Sequence, residues 1–384
     1  MSDPRVSVVL AVYNGLPHVR EAIDSVLAQT FRDFELIVVD DASDDGTPDA
    51  VSSYDDPRVR LLRNERNLNQ VVSLNRGIAE ARGEYIARLD HDDLCAPTRL
   101  ERQVALLDSR PDVGVVGSFV EIADLEGRRV SELSNTVSDF PDFVFTVLTE
   151  RRLLVHPAAT FRREDVLALG GYDESMRWAE DKDLWARLAL ARRHAAVVEE
   201  PLVVYRWHEG QQSNTSTSLQ REAARRVQTR FCTELVGEEQ AELVRLLFAR
   251  DPRELWTEGD PASAGAALDA VVAGARSRLA FSTEEAARFE GLVRTHVRRR
   301  ALQAWKAGPT AQRRFGRPLW GWAGGSAAVP TALAVAAPAL HTLRRGRIRV
   351  TDAVHESPRT RRLKEAGRRF TRLTNLYRRI VSDR

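Results

Sequence analysis

Cysteine is scarce in this sequence, in which Cys95 and Cys232 are the only two among 384 residues. Two cysteines cannot form a disulfide framework, and free thiols are typical of a reducing compartment. A secretory signal is not expected either, because Asp3 lies near the start and no small-residue cleavage site follows the short apolar stretch Val6 to Tyr13. We therefore expect a cytoplasmic protein.

Long uncharged stretches are equally rare, and the one long enough to cross a bilayer, which takes about 20 residues, covers residues 318–340. Its alanine, glycine and proline content, with prolines at 330 and 338, lowers both its hydrophobicity and its helix propensity. A membrane span and a buried or interfacial hairpin are both open alternatives for this segment.

Acidic residues outnumber basic ones over most of the chain, whereas basic residues outnumber acidic ones at its end. Residues 344–384 hold 14 of the 57 Lys and Arg but 4 of the 55 Asp and Glu, which leaves 43 basic and 51 acidic residues in 1–343. Apolar residues spaced among the arginines approximate a basic amphipathic helix, namely Leu363, Phe370, Leu373, Leu376, Tyr377 and Ile380.

This charge pattern favours peripheral membrane association through the C-terminal region, at the inner face of the cell membrane, with a solvated helical face as the alternative. Nucleic acid is not an expected partner, because no recognised binding motif accompanies the basic tail.

Strand and helix patterns alternate from Arg5 to Asp90. The nearly continuous apolar run Val6–Val12 is typical of a strand covered on both faces. Thr47 and Pro48 predict the N-cap and first turn of a helix. The sequence therefore predicts an α/β fold with a mostly parallel sheet flanked by helices, followed by a mainly helical region. We divide the chain into an α/β domain over 1–215, a helical accessory region over 216–315, and an apolar segment with the basic tail over 316–384.

Two acidic loops follow predicted strands, one at residues 40–45 and the other at Asp90-His91-Asp92-Asp93. Loops at the carboxyl ends of parallel strands lie along one edge of the sheet, so both can face one ligand. Neighbouring carboxylates repel each other, and Mn²⁺ or Mg²⁺ would relieve the repulsion while bridging to phosphate oxygens. Taken alone, each loop has a plainer interpretation as a solvated turn or a helix N-cap.

Besides the two acidic loops, the acidic pair Glu180-Asp181 lies at the predicted start of a helix that follows the Gly170-Gly171 turn. The helix dipole keeps a carboxylate ionised there, which suits a general base, although helix capping would also explain the pair. His208 follows a late predicted strand and can either ligate a metal or be an ordinary core or surface histidine.

Together these stretches resemble the family 2 nucleotide-sugar glycosyltransferases, which are inverting enzymes with the GT-A fold. The resemblance covers roughly residues 5–210 and is specific as an ensemble. It is carried by four stretches of sequence: Val8-Val9-Leu10-Ala11-Val12-Tyr13-Asn14-Gly15, Val38-Val39-Asp40-Asp41-Ala42-Ser43, Asn75 to Ile86, and Leu89-Asp90-His91-Asp92-Asp93.

The resemblance implies a donor site and a metal site. Ala11, Tyr13 and Asp41 would line the base and ribose pocket of a nucleotide-diphosphate sugar, with Asp40 beside it. The metal and diphosphate motif would comprise Asp90 and Asp92, with Asp92 the direct ligand of the divalent cation and His208 a second one.

The resemblance also implies the chemistry. Asp181 matches the general base of the family, with Glu180 supporting it. Asp181 would deprotonate an acceptor hydroxyl, which attacks the anomeric carbon while the metal stabilises the departing diphosphate. The acceptor would be a glycan or a lipid-linked or envelope polysaccharide precursor.

Two positions depart from the family pattern. Asn69 stands where the Asn-x-Gly turn usually has glycine, and since Asn tolerates left-handed geometry we expect the turn to survive. Processive members carry Gln-x-x-Arg-Trp, whereas this chain has Val203 before Arg206-Trp207. We therefore expect transfer of a single sugar.

Two other functions compete with glycosyl transfer. A nucleotidyltransferase also uses acidic metal loops on a parallel sheet, but the turn after Val12 offers no Gly-rich, cation-bearing phosphate loop. A non-catalytic membrane-associated module would depend on the basic tail alone.

Overall fold

The computed structural model describes residues 3–151, 154–207, 217–307 and 312–324. The chain divides into two compact units, the first formed by residues up to 251 together with 266–293, and the second by 252–265 together with the described residues from 294 onward. The boundary predicted near residue 215 falls among residues 208–216, outside the described part, so the domain limits stay a prediction.

A single mixed sheet forms the centre of the first unit. Its strands are β1 Val6–Val12, β2 Phe34–Asp40, β3 Val59–Arg63, β4 Tyr85–Arg88, β5 Leu94–Cys95, β6 Val113–Ala123, β7 Arg129–Leu133, β8 Thr160–Arg162 and β9 His194–Arg206. They run in the order β3-β2-β1-β4-β8-β6-β9-β5, with β7 paired to β6.

The two halves of this sheet differ in direction. Strands β3, β2, β1 and β4 are parallel, as their apolar runs predict. Beyond β4 the sheet is mixed, because β8 is antiparallel to both β4 and β6, whereas β6 and β9 are parallel. Two separate late strands are predicted near 197 and 202, but β9 is one strand, since the exposed Glu199 and Glu200 interrupt its apolar pattern without ending it.

Helices account for most of the other described residues. They are α1 His18–Leu27, α2 Thr47–Ser52, α3 Gln70–Glu80, α4 Arg99–Ser109, α5 Phe140–Leu148, α6 Arg163–Ala168, α7 Glu180–Leu190, α8 Thr217–Val236, α9 Glu238–Phe248, α10 Pro252–Glu258, α11 Ala264–Arg278, α12 Thr283–Ala307 and α13 Arg317–Trp322. Within the described ranges, no helix has both the length and the apolar character needed to cross a membrane. Most of the 318–340 segment and the whole tail lie outside those ranges.

Apolar side chains fix the helices on the sheet. Every residue of β1 and β2 is buried, and α1 packs the stripe Val19, Ala22, Ile23 and Val26 against them. Helix α3 lies close to β1 at Gly77, where an added Cβ would stand 2.5 Å from the Val9 side chain.

Two helix starts can be compared with the sequence. Gly46, at φ 85°, is the N-cap of α2, so the assignment of Thr47 to that position is wrong by one residue. The Thr47 hydroxyl instead accepts a hydrogen bond from Gly15 N at 2.9 Å. Asn69 caps α3 by accepting from Val71 N at 3.0 Å, so the turn is present with Asn, but its φ of 82° and ψ of 164° lie outside the left-handed helical region expected for it.

Candidate active site

The carboxyl ends of β1, β2 and β4 bring the predicted donor-site loops to one edge of the sheet. Val12 pairs with Asp40 in the β1–β2 ladder, and Asp41 N donates to Val12 O at 2.8 Å. Strand β4 pairs with the other side of β1 and leads into Asp90. The parallel register therefore places both acidic loops beside the turn that follows Val12.

Asp41 is buried and holds the loop that follows β3. Its carboxylate accepts hydrogen bonds from the Asn64 side chain at 2.6 Å and from the Leu68 and Asn69 backbones at 2.9 Å each. A carboxylate has about four acceptor positions, so one is left for a ligand N–H or hydroxyl. Asp40 is fully buried, and one of its oxygens lies 3.4 Å from Arg63 Nε.

The remaining predicted donor-site residues differ in exposure. Ala11 is buried near the end of β1, whereas Tyr13 is 48% exposed and presents its ring to solvent at the same edge. An exposed aromatic ring beside a buried carboxylate offers a stacking surface next to a hydrogen-bond acceptor. The roles of Ala11, Tyr13, Asp40 and Asp41 in binding a nucleotide stay predictions.

Three carboxylates converge at the end of β4. Asp90, Asp92 and Asp93 each offer one oxygen atom, and these atoms lie within 4.8 Å of one another. Asp93 is fully buried, and burial together with the charges of Asp90 and Asp92 raises its pKa well above the ordinary range. One Asp93 oxygen accepts from Arg206 N at 3.0 Å, and the other has no hydrogen-bond partner among the described residues.

This donor set fits a hard divalent cation. It consists of carboxylate oxygens, the ligands that Mg²⁺, Ca²⁺ and Mn²⁺ prefer, and it includes a buried oxygen without a partner. The sequence predicts Asp90 and Asp92 at this place, and the structure adds Asp93. His208, the second predicted ligand, lies outside the described residues.

A buried arginine, which the sequence does not predict, contacts the acidic triad formed by Asp90, Asp92 and Asp93. Arg88, the last residue of β4, is 2% exposed, and its Nη2 contacts Asp90 Oδ1 at 2.5 Å. Gln70 Nε2 donates to the same oxygen at 3.1 Å. The side chain of an arginine at the end of an apolar strand is expected to be exposed. No signal in the sequence alone therefore identifies Arg88 as buried.

Helix α7 carries the predicted catalytic pair in its first turn. Glu180 is buried and Asp181 is half-buried. Burial, together with the charge of Asp181, raises the pKa of Glu180 to about 7. The preceding Trp178 has φ 81°, a region that bulky residues rarely adopt and that is often found at functional sites.

A buried aromatic pair connects the triad to α7. His156 Nε2 and the Tyr172 hydroxyl are 2.7 Å apart, and burial and the Arg88 charge lower the pKa of His156 well below its ordinary value. Burial also raises the pKa of Tyr172, and the charges of Glu180, Asp181 and Asp90 add to that shift. The His156 ring also lies roughly perpendicular to the Trp185 ring of α7, with the two centroids 6.4 Å apart.

Arg206, the last residue of β9, contacts both the triad and helix α1. Besides its backbone contact with Asp93, Arg206 turns its buried guanidinium to Glu21 and to His18 Nδ1, the latter at 3.1 Å. Arg206 therefore ties the triad to the start of α1, and the following Trp207 is half exposed.

Comparison with known proteins assigns the chain to a family. The family model described as Glycosyl transferase family 2 matches residues 7–169. An uncharacterized glycosyltransferase of Methanocaldococcus jannaschii, MJ1057, is 32% identical over 210 residues, which are 54% of this chain and 72% of that protein. The chain belongs to glycosyl transferase family 2. The succinoglycan biosynthesis protein ExoO of Rhizobium meliloti is 33% identical over 53% of this glycosyltransferase and 61% of ExoO.

A solved structure supports the fold of this glycosyltransferase. Residues 1–349 of S. aureus TarS, in a complex with UDP-GlcNAc, match with a TM-score of 0.52 and 17% identity over 84% of this chain and 93% of that one. The likeness confirms the predicted GT-A fold and, at this identity, nothing finer. The predictions of family and enzyme class are confirmed, and the nucleotidyltransferase and non-catalytic alternatives are set aside.

Proposed function

We propose that this glycosyltransferase transfers a single sugar, with inversion, from a nucleotide-diphosphate sugar to an acceptor hydroxyl. The observation that carries the proposal is the convergence of the Asp90, Asp92 and Asp93 carboxylates at the end of β4, at the edge of the sheet where β1 and β2 end. The leaving diphosphate would lie at this edge, and Asp181 in the first turn of α7 is the candidate base.

The donor would lie along the edge formed by β1, β2 and β4. Tyr13 and Ala11 would contact the base, and Asp41 would accept a hydrogen bond through its remaining acceptor position, with Asp40 fixing the loop from beneath. Asp90 would lie at the diphosphate end of the donor.

Asp181 would accept the proton of the acceptor hydroxyl as the hydroxyl oxygen bonds to the anomeric carbon. The bond from that carbon to the diphosphate oxygen breaks on the opposite face, so one displacement inverts the configuration. The buried Glu180, with its pKa near 7, would limit the negative charge beside Asp181 by holding a proton at low pH.

Asp90, Asp92 and Asp93, with His208 as a further candidate, would hold Mn²⁺ or Mg²⁺. When bound, such a cation neutralises charge on the diphosphate leaving group. The close carboxylate oxygens support this proposal, since bare acids repel one another at such distances.

The acceptor would be a glycan or a lipid-linked or envelope polysaccharide precursor, as the succinoglycan biosynthesis name of ExoO suggests. Single-sugar transfer agrees with Val203, a buried apolar residue on β9 that cannot replace the glutamine of processive members. Peripheral attachment to the inner face of the membrane through residues 316–384 would bring the enzyme to such an acceptor.

A thermal-shift screen of nucleoside diphosphates with and without Mn²⁺ tests the donor part directly, because a ligand that binds the folded state raises the melting temperature. We expect one nucleotide to stabilise the protein only when Mn²⁺ is present. NMR of the anomeric proton of the product then tests inversion. Absence of binding and turnover across a broad donor panel would refute the proposal.

A further inference from the structure

Two neighbouring arginines are buried, Arg88 at the end of β4 and Arg99 on α4, and their hydrogen bonding differs. Arg99, on α4, has all three guanidinium nitrogens in contact with partners, namely Gln103, Cys95 and the backbone oxygens of residues 88 and 159. Arg88 uses only Nη2, and its Nε and Nη1 have no hydrogen-bond partner within the described ranges.

Unpaired buried N–H groups are costly, and more so when they are charged. Packing therefore does not explain Arg88, since the strand end could carry an apolar residue at lower cost. Buried carboxylate oxygens suggest why an arginine is present at this position. Asp93 Oδ2 and Glu180 Oε2 are likewise buried without hydrogen-bond partners in the described structure.

The charge of Arg88 reaches both acidic elements. An arginine stays protonated even when it is buried, and the guanidinium of Arg88 contacts Asp90. Its positive charge also acts favourably on the carboxylates of Asp93 and Glu180. One guanidinium thus offsets negative charge on the metal loop and at the start of α7.

We propose that Arg88 is a positioning residue that acts as a built-in counter-ion. Its guanidinium orients Asp90 and offsets negative charge on the triad and on Glu180 before a divalent cation binds. A bound cation supplies charge of the same sign, so the acids depend less on Arg88 once the site is loaded.

The test compares melting temperatures with and without Mn²⁺ for Arg88→Met, Arg88→Lys and the matched control Arg99→Met. We expect Arg88→Met to melt lower without metal and to recover with it, so that its Mn²⁺-induced rise is at least about twice that of the wild type. Arg88→Lys keeps the charge and should restore most of the metal-free stability. Arg99→Met should lose the same stability with and without Mn²⁺.

Several outcomes would overturn the counter-ion role. They are an Arg88→Met chain that stays unfolded in both conditions, an Mn²⁺-induced rise of Arg88→Met that only equals a measurable rise of the wild type, and an Arg99→Met variant with the same enlarged rise.

The inference rests on the proposed cation site. A comparison of variants without metal therefore tests the role of Arg88 separately from that site. Without the Arg88 charge, Asp90 is a partly buried acid without its counter-ion, so the pair Arg88→Met/Asp90→Asn should melt higher than Arg88→Met alone. A double variant that melts lower contradicts the role of Arg88. A wild type that shows no Mn²⁺-induced rise, beside a recovered double variant, contradicts the cation site and leaves the charge pairing supported.

Discussion

Removal of the Asp92 carboxylate should abolish transfer and leave the protein folded. Asp92 is 9% exposed and shares its surroundings with two other acids, so Asp92→Ala relieves repulsion as well as removing a ligand oxygen. We expect kcat/KM to fall roughly 100-fold or more, in the range seen when a metal or electrostatic contact is lost. Circular dichroism should be unchanged, and Asp49→Ala on the exposed face of α2 is the control. An undiminished transfer rate would contradict the role of Asp92.

Glu180 should make stability depend on pH in one direction. Its pKa is about 7 in the folded protein against an ordinary value of 4.5, so between these pH values the folded state binds a proton that the unfolded state lacks. The free energy of unfolding therefore falls as pH rises from 4.5 to 7 and is level above that. Glu180→Gln removes this loss and should gain up to about 3 kcal/mol over the wild type at pH 8 relative to pH 5. Urea unfolding of the wild type and of Glu180→Gln at pH 5 and pH 8 measures this gain. If the free energy of unfolding changed equally between the two pH values in both proteins, the raised pKa of Glu180 would be contradicted.

The triad shows how far single residues can be predicted. The closeness of Asp90 and Asp92 was predictable because both lie in one short loop after a buried strand, whereas their role stays a prediction. The burial of Arg88 was not predictable, because it depends on packing against residues that are distant in the chain. Charge pairing across such distances leaves no local pattern in a sequence.

At the scale of elements, the start of α3 offers a test of backbone strain. Asn69 has φ 82° and ψ 164°, a region that is almost confined to glycine and costs other residues about 1–3 kcal/mol. Asn69→Gly relieves that strain and gives up a cap worth only a few tenths of a kcal/mol relative to glycine. We expect the free energy of unfolding to stay within about 1 kcal/mol of the wild type or to rise.

Asn69→Ala is the matched variant, because it loses the cap and keeps the strained backbone. It should destabilise the protein by about 2 kcal/mol in the same urea titration. Glycine and alanine variants of equal stability would show that Asn69 is not strained.

The sheet shows the same contrast between local and distant information. Strands β1 and β2 were predictable because each is an apolar run followed by a helix. The antiparallel β8 has only three residues, and its place between β4 and β6 is set by pairing with strands far away in the chain. Short strands of this kind have no periodicity long enough to indicate their partners.

At the scale of the whole molecule, the opposite charges of body and tail predict how the enzyme meets a membrane. Residues 344–384 carry 14 basic and 4 acidic residues, so the tail is attracted to anionic lipid while the acidic remainder is repelled. We expect the full chain to bind vesicles that contain anionic phospholipid at 0.1 M salt, and to release them as salt screens the attraction.

A matched pair of variants locates that attraction. Arg378→Gln/Arg379→Gln removes two tail charges, and at about 1 kcal/mol per basic residue binding should weaken roughly 30-fold. Arg276→Gln/Arg278→Gln removes two charges from exposed positions on α11 and should leave binding unchanged. Vesicle sedimentation measures both, and equal affinities for the two variants would mean that net charge, rather than the tail, governs attachment.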